Sequence, residues 1–373
     1  MIYDTLQGYV HEIYRHLHSI PEKAMEEYRT SQFLAEKLCS FGFSVEEHVG
    51  GTGIIGVLDS KVPGRVIALR ADMDALTYEI DGRVECRHTC GHDAHSAIVL
   101  TAARDAAKKG IASGKLVILF QPGEEPILGA LAMIASKKLD VLGIEELYGL
   151  HVRAVDERDC RFGFMSPAVF TSASGRLRVK FKRTRECSGN VVNAAVLAIH
   201  AVNMVHMDPT IRHSLKTTHL TMEEGRQGQI PDRAEMIVDC KHLSTPLYHE
   251  MKEKATKAIE KAAAAAGVSV SVESIEYVPG GTFDEETIAI ARRAIIEELG
   301  EEHCSPVTYF SAGDDFNYFV EYLKCRAVYM GLGADASPGL HHQDMKINCS
   351  CLDNGVKVME NIIGQRLGYQ KEA

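Results

Sequence analysis

The sequence predicts an α/β protein: a mixed, largely parallel sheet with helices on both faces, interrupted by an inserted α+β domain. Three observations predict it. Short apolar runs alternate with helical periodicity in the first part of the chain; from about Ser172 the pattern changes to period-two strands beside two helices; and beyond "VPGGTFDEET" the helix and strand alternation returns.

The opening "MIYDTLQGYVHEIYRHLHSI" is charged and helically periodic, and Leu17, Phe33, Leu34 and Leu38 mark apolar helix faces. "GIIGVL" and "RVIALRADMDAL" follow as apolar, β-branched strands, with "GGTGIIG" a turn before the first of them. A helix through "HSAIVLTAARDAAKK", a strand "KLVILFQ", a helix around "GALAMIASKK" and a strand "ELYGLHV" complete this part. In the insertion, "GRLRVKFKR", "LKTTHLTMEE", "RAEMIVDCKHL" and "VSVSVESIEYV" read as strands, and "NVVNAAVLAIHAVNMV" and "YHEMKEKATKAIEKAAAAAG" as helices. The return runs through a helix "ETIAIARRAIIEEL" and a strand "CRAVYMGLG". The expected domains are 1–170 together with 279–373, and between them 171–278.

A chain of 373 residues is long enough for two domains, and 45% hydrophobic with 25% charged residues is the balance of a soluble globular protein. No run approaches the roughly 18 to 20 apolar residues of a membrane helix, and the opening lacks a secretory pattern, so a cytoplasmic setting is expected. A net charge of −10 repels nucleic acid and anionic membrane, which leaves small molecules as the expected ligands. The ten cysteines are expected to be reduced, and buried or available to metal. "CSC" at Cys349–Cys351 lacks a second pair at zinc-site spacing and reads as structural.

Ligands of open α/β sheets gather beyond the carboxyl ends of the strands, and polar residues sit there. Asp72 and Asp74 follow "VIAL", Glu124 and Glu125 follow "VILF", and His151 follows "LYGL". The stretch "HTCGHDAHSA" adds His88, Cys90, His92, Asp93 and His95. Cys90 and His92 are close enough in sequence to bind a pair of metals or to fix one from two directions. Thiolate with imidazole favours zinc, manganese, cobalt or nickel over calcium or magnesium. Alone, these residues read equally well as hydrogen-bonded core. Glu124 and Glu125 are adjacent carboxylates after a buried strand, an arrangement that calls for a cation. One can bind metal while the other faces a water, the minimum apparatus for hydrolysis; a solvated pair at a helix N-terminus is the plainer reading. His151 and His341, in "GLHHQD", complete a possible ligand set, with His342 a bystander and His88 and His95 in supporting places. Asp72 or Asp74 can orient His92 by accepting its second ring proton. A zinc deaminase lacks its PCxxC partner here, and hydride transfer lacks the strand, glycine turn and helix in order.

In order and spacing, "ALRADMDAL", "HTCGHDAHSA", "FQPGEEPILGALAMI", "YGLHV", "GDDFNYF" and "GLGADASPGLHHQDM" resemble the dinuclear metal-dependent amidohydrolases. That family includes hippurate hydrolase, auxin-conjugate hydrolases, N-acetyldiaminopimelate deacetylase and bacterial aminoacylases, with carboxypeptidase G a more distant relative. "VHMDPTIRHS" and "PDRAEMIVDCKHLS" point to the bacterial aminoacylase-like branch. The resemblance implies that Cys90, His92, Glu125, His151 and His341 ligate two divalent transition metals, Mn2+ or Zn2+, with Co2+ or Ni2+ as alternatives. It also implies that Glu124 is the general base and proton shuttle, with Asp72 a catalytic residue near the metal cluster, as a supporting acidic side chain. The substrate would be an N-acyl amino acid or a peptide-like conjugate, cleaved by metal-activated water. The insertion would serve as lid and dimerisation surface of a homodimer or higher homo-oligomer.

The chain departs from the family at one place. Members carry a "GHAAxPH"-like stretch after the strand that here reads "RLRVKFK", and the resemblance implies that its first histidine reaches the substrate. This chain has "RTRECSGNVVNAA", with no histidine. A lost oxyanion donor costs about a hundredfold to a thousandfold in turnover. Asn190, Asn193 or Arg185 would have to substitute. The alternative expectation is a metal-binding paralogue with impaired or altered activity.

Overall fold

The computed structural model describes residues 8–154, 160–224 and 228–370, so the first seven residues of the expected opening helix lie outside it. The chain forms two compact units, one comprising Met1–Val169, Thr282–Thr308 and Asp315–Ala373, the other Phe170–Gly281 with Tyr309–Asp314.

The first unit begins with helices α1 (Tyr9–His18) and α2 (Tyr28–Ser40), then strands β1 (Ser44–Val49), β2 (Gly53–Asp59) and β3 (Val66–Asp72). Helix α3 (His92–Lys109), strand β4 (Lys115–Gln121), helix α4 (Gly129–Ala135) and strands β5 (Glu146–Ala154) and β6 (Met165–Ser166) follow. The insertion contributes β7 (Ala173–Lys182), α5 (Val191–Asn203), β8 (His213–Met222), β9 (Arg233–His242), α6 (Thr245–Ala265) and β10 (Ser269–Val278). The chain returns through α7 (Glu285–Leu299), α8 (Phe316–Leu323), β11 (Arg326–Ala336) and α9 (Leu352–Leu367).

In the first unit, seven strands form one sheet in the order β1-β2-β4-β3-β5-β11-β6. The central four are parallel, and β1, β2 and β6 are antiparallel additions at the edges. Parallel strands are covered on both faces, which is why they read as unbroken apolar runs. On one face Ala68, Val117, Leu119 and Leu147 pack against Ala130 and Met133 of α4 and Phe316 and Phe319 of α8. α3 packs on β3 and against α9, which itself reaches β4. Strand β1 gave no apolar alternation because only Val49 of its residues is buried. A hairpin, Leu76–Ile80 with Arg83–Arg87, leads into the stretch from His88. Its two-residue loop, Asp81 and Gly82, has φ of 50° and 75°, the left-handed pair that a tight hairpin demands.

Glu146, at the start of β5, is fully buried and accepts hydrogen bonds from Arg366 at 2.8 Å, Arg326 at 2.6 Å, Arg65 at 3.3 Å and Tyr148 at 2.8 Å. Burial opposes its ionisation, but these donors outweigh burial and hold its carboxyl below the usual range. Glu146→Ala strands three guanidinium groups, so we expect a loss of roughly 3–5 kcal/mol in denaturant unfolding. Metal content should not change, because this end of the sheet lies opposite the strand ends that carry the acidic residues.

In the second unit, four antiparallel strands run in the order β8-β9-β7-β10. α5 and α6 cover one face, with Val179, Phe181, Met236, Val238, Tyr248 and Ile259 among the core. The strands alternate apolar and charged residues because the other face carries ion pairs such as Arg176–Glu276 and Arg178–Glu235. Among the described residues, no helix is long and apolar enough to cross a membrane.

Candidate metal centre

Four segments of the first unit deliver the residues singled out by sequence. Cys90 and Gly91 join the hairpin to α3, whose first residue is His92. Glu124 and Glu125 follow β4 in a turn closed by the Ile127 N–H on Glu124 O and the Gly129 N–H on Gly123 O. The ladder between β3 and β5 stops at the pair Arg70 and Gly149, so His151 projects beyond it while still on β5. His341 lies in the segment after β11, with φ of 64°, and its N–H donates to Thr89 O at 2.8 Å. A left-handed histidine is unusual and is held here by the backbone at Thr89.

The five candidate ligands meet. Cys90 Sγ lies 3.3 Å from His151 Nε2 and 3.3 Å from His341 Nε2. Glu125 Oε1 is 3.4 Å from His341 Nε2 and 4.0 Å from His92 Nε2. Glu124 Oε2 is 3.8 Å from His92 Nε2, beyond hydrogen-bond reach. Cys90, His92 and His151 are buried and Glu124 and Glu125 mostly so, whereas the His341 side chain is about half exposed, which leaves the cluster open on that side.

The proton positions follow from the partners. His92 Nδ1 is 2.9 Å from Asp74 Oδ1, and His151 Nδ1 is 2.5 Å from Val152 O. Both partners accept only, so each ring donates from Nδ1 and turns Nε2 toward the cluster. Asp74 also accepts the Glu125 amide N–H at 3.1 Å, so one carboxylate sets both a histidine and the glutamate turn. Of the two orienting candidates for His92, Asp74 makes the contact. Asp72 is fully buried and bonds instead to His95 and Arg70.

Charge at the centre is unbalanced. Burial pushes the Cys90 thiol well up and raises Glu125, since each would be an anion in a dry site. His92 is driven the other way from a buried base: burial disfavours its cation, yet Asp72, Cys90 and Asp74 together raise it well above the usual histidine range. His92 Nε2 and Glu125 Oε1 are buried without a hydrogen-bond partner. Imidazole nitrogens converging with carboxylate oxygens and a thiol, two of these atoms unpartnered, form a donor set suited to divalent transition metal. Cys90, His92 and His151 form one group of converging ligand atoms, Cys90, Glu125 and His341 a second, and His92, Glu124 and Glu125 a third.

Several residues that hold the site carried weaker sequence signals. Glu27 is fully buried and accepts the Gly123 N–H at 2.8 Å, the Met25 N–H at 2.8 Å and the Thr52 hydroxyl, fixing the turn before Glu124. Arg70 is buried in β3 and donates to Gln121, Asp72 and Asp315. An arginine inside an apolar strand was the signal available for it. Gly91 has φ of 92°, and a Cβ there would sit 2.3 Å from Val152 Cγ2.

Other candidates stand apart. His342 lies in a turn, accepting the Asp344 N–H at 3.2 Å. His88 is buried beside Cys90. Cys349 and Cys351 are buried in the turn leading into α9 and belong to no group of converging ligand atoms among the described residues. In the insertion, the Asn190 carboxamide oxygen caps α5, accepting from Val192 and Asn193 N–H, while Arg185 and Asn193 are exposed.

Residues 68–365 match the sequence profile of peptidase family M20/M25/M40. The chain is 28% identical over 345 residues to a hippurate hydrolase of Campylobacter jejuni, covering 87% of this chain and 88% of that protein. It is 27% identical over 369 residues to an N-acetyl-L-cysteine deacetylase of Bacillus subtilis, covering 92% and 85%. Its fold is similar to that of a dinuclear metal binding peptidase of the M20 family from Bacillus subtilis, with a TM-score of 0.79 at 20% identity over 97% of this chain and 98% of that one. It is also similar to an aminopeptidase of Bacillus cereus, with a TM-score of 0.75 at 17% identity over 95% and 97%.

Proposed function

The chain belongs to peptidase family M20/M25/M40, and from that membership and the geometry of the cluster we propose that it hydrolyses the amide bond of N-acyl amino acids or similar small conjugates. The observation that carries this reading is the paired carboxylate: Glu125 Oε1 lies 3.4 Å from His341 Nε2 and 4.0 Å from His92 Nε2, while Glu124 Oε2 stands 3.8 Å from His92 Nε2, outside a direct hydrogen bond and beside the cluster. Cys90, His92, Glu125, His151 and His341 would hold two divalent metals, whose charge would polarise the amide carbonyl and acidify a water.

Glu124 would accept the proton of the attacking water and hand it to the departing amine nitrogen. Asp74 keeps His92 and Glu125 in register for this, and Glu27 anchors the turn that carries Glu124. Asp72 supports the centre from within, through His95 and Arg70. The reading as a silent metal-binding paralogue is not favoured, since relatives that span most of the chain are named as hydrolases and a deacetylase.

Metal removal gives a direct test. Purified protein should carry up to two transition metals per chain by elemental analysis. Chelation should abolish hydrolysis of N-acetyl and N-benzoyl amino acids, and Mn2+ or Zn2+ should restore it. A metal-free protein of undiminished activity would end the proposal. The substrate panel itself identifies the acyl group and amino acid.

The cytoplasmic expectation agrees with ten free thiols. A homodimer is supported by exposed apolar side chains, Val196 and Leu197 on α5 and Met204 just beyond its end. Leu197→Asp should then shift the protein to monomer in light scattering.

A further inference from the structure

β5 outruns its neighbour: the ladder with β3 ends at Gly149, three residues short of Val152. Val152 is paired with Leu332 of β11 on its other side, so a buried N–H on the β3 side needs another acceptor. His95 supplies it. The Val152 N–H donates to His95 Nε2 at 2.9 Å. A peptide N–H can only donate, so Nε2 carries the lone pair and the ring proton is on Nδ1. That proton is given to Asp72 Oδ1 at 2.6 Å. Both nitrogens of His95 are therefore committed. Its place in the converging group Asp72, His92 and His95 is not that of a ligand.

Asp72 is itself fixed from several sides. Arg70 Nη1 donates to its other carboxylate oxygen at 2.5 Å, and the Ser96 hydroxyl donates to its carbonyl at 2.7 Å. Arg70 is in turn held by Gln121 at 2.8 Å and Asp315 at 3.0 Å. At the far end, the Val152 carbonyl accepts the Nδ1 proton of His151, whose Nε2 faces Cys90. The rings of His95 and His151 lie 4.5 Å apart between centroids. A chain of hydrogen bonds thus runs from the sheet interior to a residue of the cluster.

We propose that His95 is a positioning residue: a neutral imidazole with its proton on Nδ1, which ties the Val152 amide to Asp72 and thereby sets the placement of His151. The proposal rests on the reading of His151 as a metal ligand. Asp72 anchors this imidazole at Nδ1, and Nε2, the acceptor for the Val152 N–H, carries the effect on His151.

Two substitutions separate the two ends of the ring. His95→Asn keeps a donor toward Asp72 in the place of Nδ1 and removes the acceptor for Val152. His95→Gln keeps an acceptor near the place of Nε2. The probe is Co2+ alone, titrated into the metal-depleted full chain and followed by the thiolate-to-cobalt absorption of Cys90. We expect His95→Asn to remain folded, to bind Co2+ roughly 10- to 100-fold more weakly and to lower kcat with KM little changed, and His95→Gln to recover most of the loss. Wild-type cobalt affinity and spectrum in His95→Asn would overturn the proposal, as would an equal loss in both variants. Should wild-type protein bind no Co2+, the ligand reading fails first and this proposal with it. Should the variants not fold, nitrogen chemical shifts of His95 in the wild type decide alone: a neutral ring protonated at Nδ1 supports the proposal, and protonation at Nε2 overturns it.

Discussion

Glu124→Gln is expected to purify with the metal content of the wild type and to hydrolyse N-acyl amino acids roughly 10^2- to 10^4-fold more slowly, the usual range for loss of a positioned general base. Glutamine has the shape of glutamate but cannot accept the proton of an attacking water. The substitution should leave the five other donors undisturbed, because Glu124 lies outside hydrogen-bond reach of His92, and the turn is held by backbone bonds and by Glu27 on Gly123 rather than by the Glu124 carboxylate alone. Elemental analysis beside steady-state kinetics checks both halves. Undiminished turnover would remove Glu124 from the mechanism, whereas loss of metal together with activity would place it among the ligands.

Gly91→Ala should lose tight metal binding and, with it, hydrolysis. Gly91 separates Cys90 from His92 and adopts φ of 92° and ψ of 18°, which costs a side-chain-bearing residue about 1–2 kcal/mol. The larger obstacle is spatial. An added methyl would stand 2.3 Å from Val152 Cγ2, so either the strand carrying His151 or the link between Cys90 and His92 must move. A metal site tolerates little displacement of its donors. The double substitution Gly91→Ala with Val152→Ala removes the clashing carbon, leaves the backbone cost, and should recover much of the metal occupancy. Equal metal loss in the single and double variants would show that the backbone angle, not the clash, governs the site.

Much of the fold was legible because it is written in local periodicity. The unbroken apolar runs of β3, β4 and β5 reported strands covered on both faces, and the alternation in "GRLRVKFKR" reported a sheet covered on one. Where burial was absent the signal was absent too: β1 buries only Val49 and passed unseen. The hairpin before His88 carried its Asp-Gly signature in a stretch with little apolar contrast, since its strands are partly or fully exposed.

By itself the sequence determined which chemical groups stand at the ends of which strands: thiol, imidazole and paired carboxylate, each placed by a few neighbouring residues. Tertiary structure alone decided the partners that aim them. Asp74 rather than Asp72 took the proton of His92, His95 became a strut to Val152, and Arg70 found Asp315 across 245 positions. Strand and helix patterns depend on residues a few places apart. A hydrogen bond between buried groups depends on how far one strand outruns the next and on which face of a packed helix meets it, and no stretch of sequence short enough to show a pattern contains both ends.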